Sequence, residues 1–263
     1  MVGKNLAQQL EDATTERVPR LRLSAIGKPS RQLYYELNYA PKESLTGDTL
    51  FKFQYGHILE EMVLYLAKEA GHEVLYEQKE VTIGGIKGHI DAYIDGVLVD
   101  VKSASPFGFL KFKNGTIRQN DGFNYIPQLA AYSQSEGNPD GAFLAINKIN
   151  GEMCLCKFPS EELAAVDIQG HIARQKRVQD NPHRVPERCF DTVPEGKSGN
   201  MRLGTNCGYC PFKQHCWRDA NGGKGLRAFA YSNKVTFLTK VAKQPRVFEV
   251  EMKKPKERVK PSV

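Results

Sequence analysis

The chain has 263 residues, 40% of them apolar and 25% charged, the balance of a soluble globular protein long enough for one large core with a smaller appendage. No apolar run approaches the ~20 residues of a membrane helix, and the opening MVGKNLAQQLEDATTER places acids where a signal peptide has its apolar segment. A membrane or secreted protein is therefore not expected, and an intracellular, cytoplasmic one is. The net charge of +7 favours a polyanionic partner, although much of the excess sits in KKPKERVK at 253–260, which reads as a solvated, disordered tail.

In chain order, the first forty residues read as two short helical pieces. The second is SRQLYYELN, with Ser30 as its cap and Leu33, Tyr34 and Leu37 on one face. Pro41 ends it. Residues 54–70 predict a longer helix, with Ile58, Leu59, Met62, Val63, Leu66 and Ala67 as an apolar stripe and Gly71 as the stop. From EVLYEQKEVTI onward a period of two replaces the helical period, and Asp95-Gly96 predicts a two-residue hairpin turn. Residues 106–124 read as a loop or partly mobile cover. YIPQLAAYSQSEG reads as a helix opening near Pro127 and closing at Gly137. A second hairpin turns at Asn150-Gly151 within 142–158, and one helix is expected from Ser160 to about Asp180. Beyond residue 181 proline, glycine and cysteine become frequent, which predicts a small loop-rich lobe. These elements imply an α/β fold: a mixed central sheet flanked by helices, with a Cys-rich C-terminal lobe. The expected divisions are an N-terminal helical segment packing on the core (1–48), the core (49–180), the Cys-rich lobe (181–225) and an extension with a basic tail (226–263).

The segment GHIDAYIDGVLVDVK at 88–102 carries the chemistry. A two-residue turn at Asp95-Gly96 pairs Ile94 with Val97, Tyr93 with Leu98, Ala92 with Val99 and Asp91 with Asp100. Lys102 then shares the face of Asp100, opposite His89. Ile90, Ala92, Ile94, Val97, Val99 and Val101 point the other way. Opposed carboxylates on a half-buried sheet repel, and a divalent cation compensates them. Mg²⁺ or Mn²⁺ prefers oxygen ligands, so Asp91, Asp100 and the carbonyl of Val101 are candidates. Lys102 would orient or deprotonate an attacking water, or stabilise charge on a phosphate. The alternative is a solvated face on which these residues fall in register without consequence.

These residues resemble the PD-(D/E)XK nuclease superfamily in its RecB-like exonuclease branch. Gly56 with Glu60 matches that branch's first motif, Gly88 with Asp91 its G-x-x-D strand, Asp100 with Lys102 its (D/E)-x-K strand, and Gln128 with Tyr132 its Q-x-x-x-Y helix. The four occur in the family's order over about residues 50–135. The resemblance implies a restriction-endonuclease-like core, DNA as substrate, Glu60, Asp91 and Asp100 as Mg²⁺ or Mn²⁺ ligands, and a catalytic Lys102. Gln128 and Tyr132 would position the site or the DNA. Glu61 rivals Glu60, and spacing from Gly56 favours Glu60. His57 and His89 are expected beside the site or on the surface. Lys111, Lys113 and Arg118 would track phosphates, or be ordinary exposed charge. Other recombination or replication proteins would be further partners.

The C-terminal NCGYCPFKQHCW places Cys207, Cys210 and Cys216 at a spacing that lets thiolates converge on one ion or cluster. Cys189 is the favoured fourth ligand, with His215 and His183 as alternatives. Cys154 and Cys156 share a strand face and read as small core residues. The triplet resembles that of iron-sulfur nucleases of the same branch, including AddB-type and CRISPR-associated relatives, and implies a [4Fe-4S] cluster. Those relatives commonly draw their first cysteine from a segment before the nuclease core, and GKPSRQLYY has none there. Zinc is the alternative, since Cys₄ or Cys₃His coordination fits the spacing. The competing readings of the whole chain are a catalytically silent nuclease-like protein and a zinc-ribbon DNA-binding protein. Retention of Glu60, Asp91, Asp100 and Lys102 argues against the first, and the second leaves the facing acids unexplained.

Overall fold

A computed structural model describes residues 18–44, 46–232 and 234–258. The chain divides into two compact units, Met1–Lys28 with Leu45–Lys176, and Pro29–Ser44 with Arg177–Val263. The segment 29–44, expected on the core, belongs to the second unit. Residues 1–17, where part of the expected N-terminal helical segment falls, lie outside the described residues.

Helix α1 (Ser30–Leu37) is part of the second unit, and Pro29 rather than Ser30 is its cap residue. The first unit opens with a 3₁₀ turn at Leu23–Ala25 that buries Leu23, followed by α2 (Gly47–Glu69). Helix α2 starts seven residues before the apolar stripe predicted, because Thr46 accepts a hydrogen bond from Thr49 N at 3.4 Å and caps it there. Only Leu59, Val63 and Leu64 of α2 enter the core. Ile58, Met62 and Leu66 of the predicted stripe are exposed, so the stripe points partly away from the sheet.

A mixed sheet forms the centre of the first unit, in the order β1 (Val74–Leu75), β4 (Ala92–Ile94), β5 (Val97–Ala104), β6 (Gly141–Asn147), β7 (Met153–Phe158). Strands β5 and β6 are parallel and the other neighbours antiparallel. A separate hairpin of β2 (Glu80–Ile83) and β3 (Ile86–His89) turns on Gly84 and Gly85. The β4–β5 ladder keeps three of the four predicted pairs, Ala92 opposite Val99, Tyr93 opposite Leu98 and Ile94 opposite Val97, while Asp91, expected opposite Asp100, lies before the ladder begins and its carbonyl accepts from Gln78 N–H. The register is set by Asp95 and Gly96, both at positive φ (47° and 80°) as a tight hairpin requires.

Alternation along β5 feeds two cores. Val99 and Val101 pack with Leu59, Val63 and Leu64 of α2. Leu98 and Ala104 face a second cluster built with α3 (Pro106–Lys113) and α4 (Tyr125–Ser135), which contribute Phe109, Phe112, Leu129 and Tyr132. Two features correct the expected hairpin. Ile90 joins this second cluster rather than the face of Ala92, because its N–H bonds Lys79 O and the chain leaves the β4–β5 ladder there. His89 pairs with Glu80 in the small hairpin and so does not stand opposite Lys102.

The expected loop 106–124 contains α3, capped by Ser105 with Pro106 in its first turn, and a 3₁₀ turn at Thr116–Arg118. Phe109, Phe112 and Ile117 are buried, so tertiary packing orders a segment whose composition reads as irregular. The single helix expected at 160–180 is two, α5 (Ser160–Ala164) and α6 (Ile168–Asp180), with Pro159 in the cap position of α5. Gln134 Nε2 donates to the carbonyls of Leu163 and Val166 and satisfies the break between them. Cys156 is buried and Cys154 half-buried on β7.

The second unit is not a loop-rich lobe. It holds a five-stranded antiparallel sheet in the order β12 (Glu249–Val250), β10 (Arg227–Tyr231), β11 (Lys234–Lys240), β9 (Met201–Leu203), β8 (Thr192–Pro194). Within the basic tail, Arg258 donates to the carbonyls of Tyr35 and Glu36, ion-pairs with Glu36 at 3.0 Å and lies over the Tyr39 ring.

Two glycines of the sequence motifs are used differently. A Cβ at Gly88 would lie 2.7 Å from Leu23 Cβ and 2.8 Å from Tyr132 Cε1, whereas one at Gly56 would meet only Ser103 Oγ at 3.4 Å. Gly88→Ala should therefore destabilise by about 1–3 kcal/mol through overpacking. Gly56→Ala should be neutral or stabilising by up to about 1 kcal/mol, the helix preference of alanine over glycine. Paired thermal melts check this, and equal losses at the two positions would refute it.

Candidate active site

Strand β5 presents Asp100 and Lys102 on the face covered by α4, with Asp100 only 1% exposed. Its Oδ1 accepts from Gln128 Nε2 at 3.1 Å, and Gln128 Nε2 also reaches Tyr132 Oη at 3.2 Å. The Q-x-x-x-Y spacing works here because residues four apart share a helix face, so both side chains of α4 turn toward one strand residue. Tyr132 is itself packed against Gly88, which ties the G-x-x-D segment to the same point.

Asp91 lies one residue before β4. Its Oδ2 accepts from the backbone N–H of Val101 at 2.7 Å, so Val101 meets Asp91 as a hydrogen-bond donor. Glu60 on α2 is half-buried and Glu61 exposed. Glu60 senses the charges of Asp100 and Lys102, and Asp91 senses those of Asp100 and Glu60, so the three acids occupy one neighbourhood. Burial, then repulsion from Asp100 and Glu60, pushes the Asp91 carboxyl up to about 8. Burial also raises Glu60, against the lowering effect of His57, whose Nδ1 lies 3.9 Å away. His89 is half-exposed and 3.9 Å from Glu80, outside this group.

Lys102 ion-pairs with Asp100 Oδ2, an oxygen that has no aligned hydrogen bond from any described group. Burial opposes the charge on Lys102, but Asp100 and Asp91 outweigh it and hold the ammonium above the usual lysine range. One cation thus faces three carboxylates in a largely desolvated space, which leaves uncompensated negative charge.

Each acid is held by protein donors: Glu60 by Gln78 Nε2 at 2.7 Å, Asp91 by Val101, and Asp100 by Gln128 and Lys102. Among the described residues no group of three or more His, Cys, Asp or Glu side chains is positioned to hold a metal ion. The donor set nonetheless fits a hard divalent cation, because all three groups are carboxylates and Asp100 keeps a buried oxygen without an aligned donor.

Two residues that sequence reasoning passed over join the site. Gln78 has φ 53°, rare for a side chain of its type, and its N–H bonds the Asp91 carbonyl while its amide holds Glu60. No spacing rule marks it. Tyr125 lies beneath Lys102, whose Nζ is 4.9 Å from the ring centroid. It sits three residues before Gln128, so helix period alone places it on the same face.

The three loop cations all have partners. Lys113 pairs with Glu152, and Arg118 with Glu162 and the Lys157 carbonyl while lying over the Phe158 ring. Among the described residues Lys111 meets the Asn120 oxygens and the Phe107 ring face, partners without formal charge.

In the second unit, Cys207 lies in α7 (Thr205–Gly208), Cys210 follows it, Cys216 ends α8 (Lys213–Cys216), and Cys189 receives backbone hydrogen bonds from Arg31 and Gln32 of α1. Every pair among these four thiols is within electrostatic reach. Burial, then repulsion among the thiols, pushes Cys207 up to about 12. Cys210 rises to about 11, mainly through burial. His215 instead packs edge-on against Tyr35 at 4.9 Å, and His183 is exposed.

No family model matches the chain, and no curated protein matches it either. Among solved structures, that of SSO0001 is 16% identical, covering 81% of this chain and 94% of its own, with a TM-score of 0.44. An alkaline exonuclease, LHK-Exo from Laribacter hongkongensis, is 15% identical over 66% of this chain and 94% of its own at 0.43. A phage-related exonuclease from Haemophilus somnus 129PT is 13% identical over 65% and 97% at 0.41.

The Asp91 carboxyl generates a prediction with a definite sign. Its folded value near 8 exceeds the ~3.9 of an unfolded aspartate, so the proton-linked stability is present below about pH 4 and lost as pH rises toward 8. In chelator, the melting temperature should fall across that interval more steeply for the wild type than for Asp91→Asn. Identical slopes would remove the claim of a strained acid cluster.

Proposed function

We propose that the chain is a metal-dependent DNA nuclease, acting inside the cell as an exonuclease of the RecB-like type. The observation that carries this reading is the buried gathering of Glu60, Asp91 and Asp100 around a single lysine, an arrangement destabilising by itself and useful for binding a cation and a phosphodiester. Glu60, Asp91 and Asp100 would hold Mg²⁺ or Mn²⁺, which when bound polarises the phosphate and activates water for hydrolysis.

The chain's own residues supply the rest. Lys102, whose charged form its two aspartates favour against burial, would stabilise negative charge on the phosphate. Gln128 orients Asp100, and Tyr132 orients Gln128 through its hydroxyl. Gln78 orients Glu60, the reading that favours Glu60 over the exposed Glu61. Lys111 is the loop cation with charge left for a phosphate; Lys113 and Arg118 are neutralised by acids.

For the second unit we propose that Cys189, Cys207, Cys210 and Cys216 bind a [4Fe-4S] cluster, or zinc in its place. Four cysteines close enough for their thiolate forms to repel, with backbone N–H groups aimed at one of them, support a cationic occupant. Iron, sulfide and zinc analysis of anaerobically purified protein decides between the two. Protein free of all three would refute both.

Cleavage of end-labelled DNA tests the activity. Wild type should cut with Mg²⁺ or Mn²⁺, and Asp100→Ala and Lys102→Ala should each lose at least 100-fold, on the order of removing one charged transition-state group. Gln78→Ala should lose less and need more metal for half-maximal rate. A wild-type protein inactive with both ions would sink the proposal.

A further inference from the structure

Phe123 is 64% exposed, yet the loop carrying it is closely held. The Asp121 carboxylate accepts from the backbone N–H groups of Tyr125 and Ile126 at 2.9 and 2.8 Å, fixing the start of α4. Asn124 adopts the left-handed conformation at φ 59°. Gly27 packs so closely on Asn124 that a Cβ there would lie 2.2 Å from Asn124 Cβ. A left-handed residue between them lets Phe123 and Tyr125 turn to one side, their centroids 5.6 Å apart and their planes inclined by 33°. Tyr125 in turn stacks on Phe112 and lies under Lys102.

The result is an ordered series: a buried ammonium, an aromatic ring beneath it, and a second ring open to solvent. An exposed phenyl on a mobile loop needs no explanation. One presented by a capped, left-handed and close-packed loop, against the ring that lies under Lys102, does. An aromatic face next to a phosphate-binding cation matches a nucleotide, since a nucleobase has a π-face whatever its identity.

We propose that Phe123 stacks on an unpaired nucleobase adjacent to the phosphate at Lys102, so that the site takes a single-stranded segment or a frayed end. This rests on the nuclease reading above and names the form of its substrate. Because stacking does not read sequence, the contact positions the strand without base preference. Phe123 is a positioning residue.

The test is equilibrium binding of a short single-stranded oligonucleotide and of its abasic counterpart, with Ca²⁺ in place of Mg²⁺ to keep the strand intact. Wild type should bind the base-bearing strand about 10-fold more tightly. Phe123→Leu, which keeps bulk without a π-face, should lose that preference and Phe123→Trp should keep it. In cleavage assays Phe123→Leu should raise KM more than it lowers kcat. If wild type cleaves DNA but Phe123→Leu retains the preference, the stacking role is overturned and the nuclease reading stands. If the preference depends on Phe123 but no cleavage occurs with either ion, stacking is supported and the nuclease reading fails. Wild type that binds both strands equally, or neither, overturns the stacking role.

Discussion

Repulsion among buried carboxylates is the constraint around which the first unit is arranged. Asp100 is almost fully enclosed, Asp91 sits beside it, and Glu60 adds a third charge from a different element. Left alone, such a group would protonate or disperse. Here the fold prevents dispersal: β5 is locked between β4 and β6, α4 lays Gln128 across Asp100, and Gly88 admits Tyr132 against the strand that leads to Asp91. Rigidity has been placed where electrostatics opposes it, a pattern of functional sites more than of structural ion pairs.

The donors around the acids divide the work. Among the described residues Lys102 supplies the formal positive charge in contact with Asp100, while Val101 N–H, Gln128 and Gln78 supply dipoles to the three acids. Dipoles hold a carboxylate in place without neutralising it. The site is therefore oriented without being neutralised, and burial, then repulsion from Asp100 and Glu60, holds the Asp91 carboxyl high.

Much of this was legible in the sequence, for reasons that vary by element. The β4–β5 register followed from Asp95-Gly96, since a two-residue turn leaves one alignment, and a period of two then fixes each face. It failed at Ile90 and His89, where the chain departs to pair elsewhere and strand periodicity no longer applies. The segment 106–124 reads as irregular because its lysines, glycines and asparagines mask Phe109, Phe112 and Ile117, whose burial orders it. The stripe on α2 was placed too broadly: a helix covers a sheet with Leu59, Val63 and Leu64, and the outer apolar positions that share its period remain exposed. Gln78 was invisible because its importance lies in a backbone conformation and a long-range hydrogen bond.

The second unit shows the same contrast between pattern and context. Cysteine spacing singled out 207, 210 and 216 because short-range geometry is written in short-range sequence. Cys189 is the fourth cysteine the sequence favours, whereas the part played by α1 comes only from the fold, which joins residues 29–44 to those beyond 177. The segment that lacks a cysteine of its own thereby contributes backbone N–H groups to Cys189. An N–H group stabilises a thiolate without ligating anything, so α1 lowers the cost of charge at Cys189 while neighbouring thiols and burial raise it. Both units therefore gather groups whose charged forms burial and their neighbours oppose, and meet them with backbone and amide dipoles.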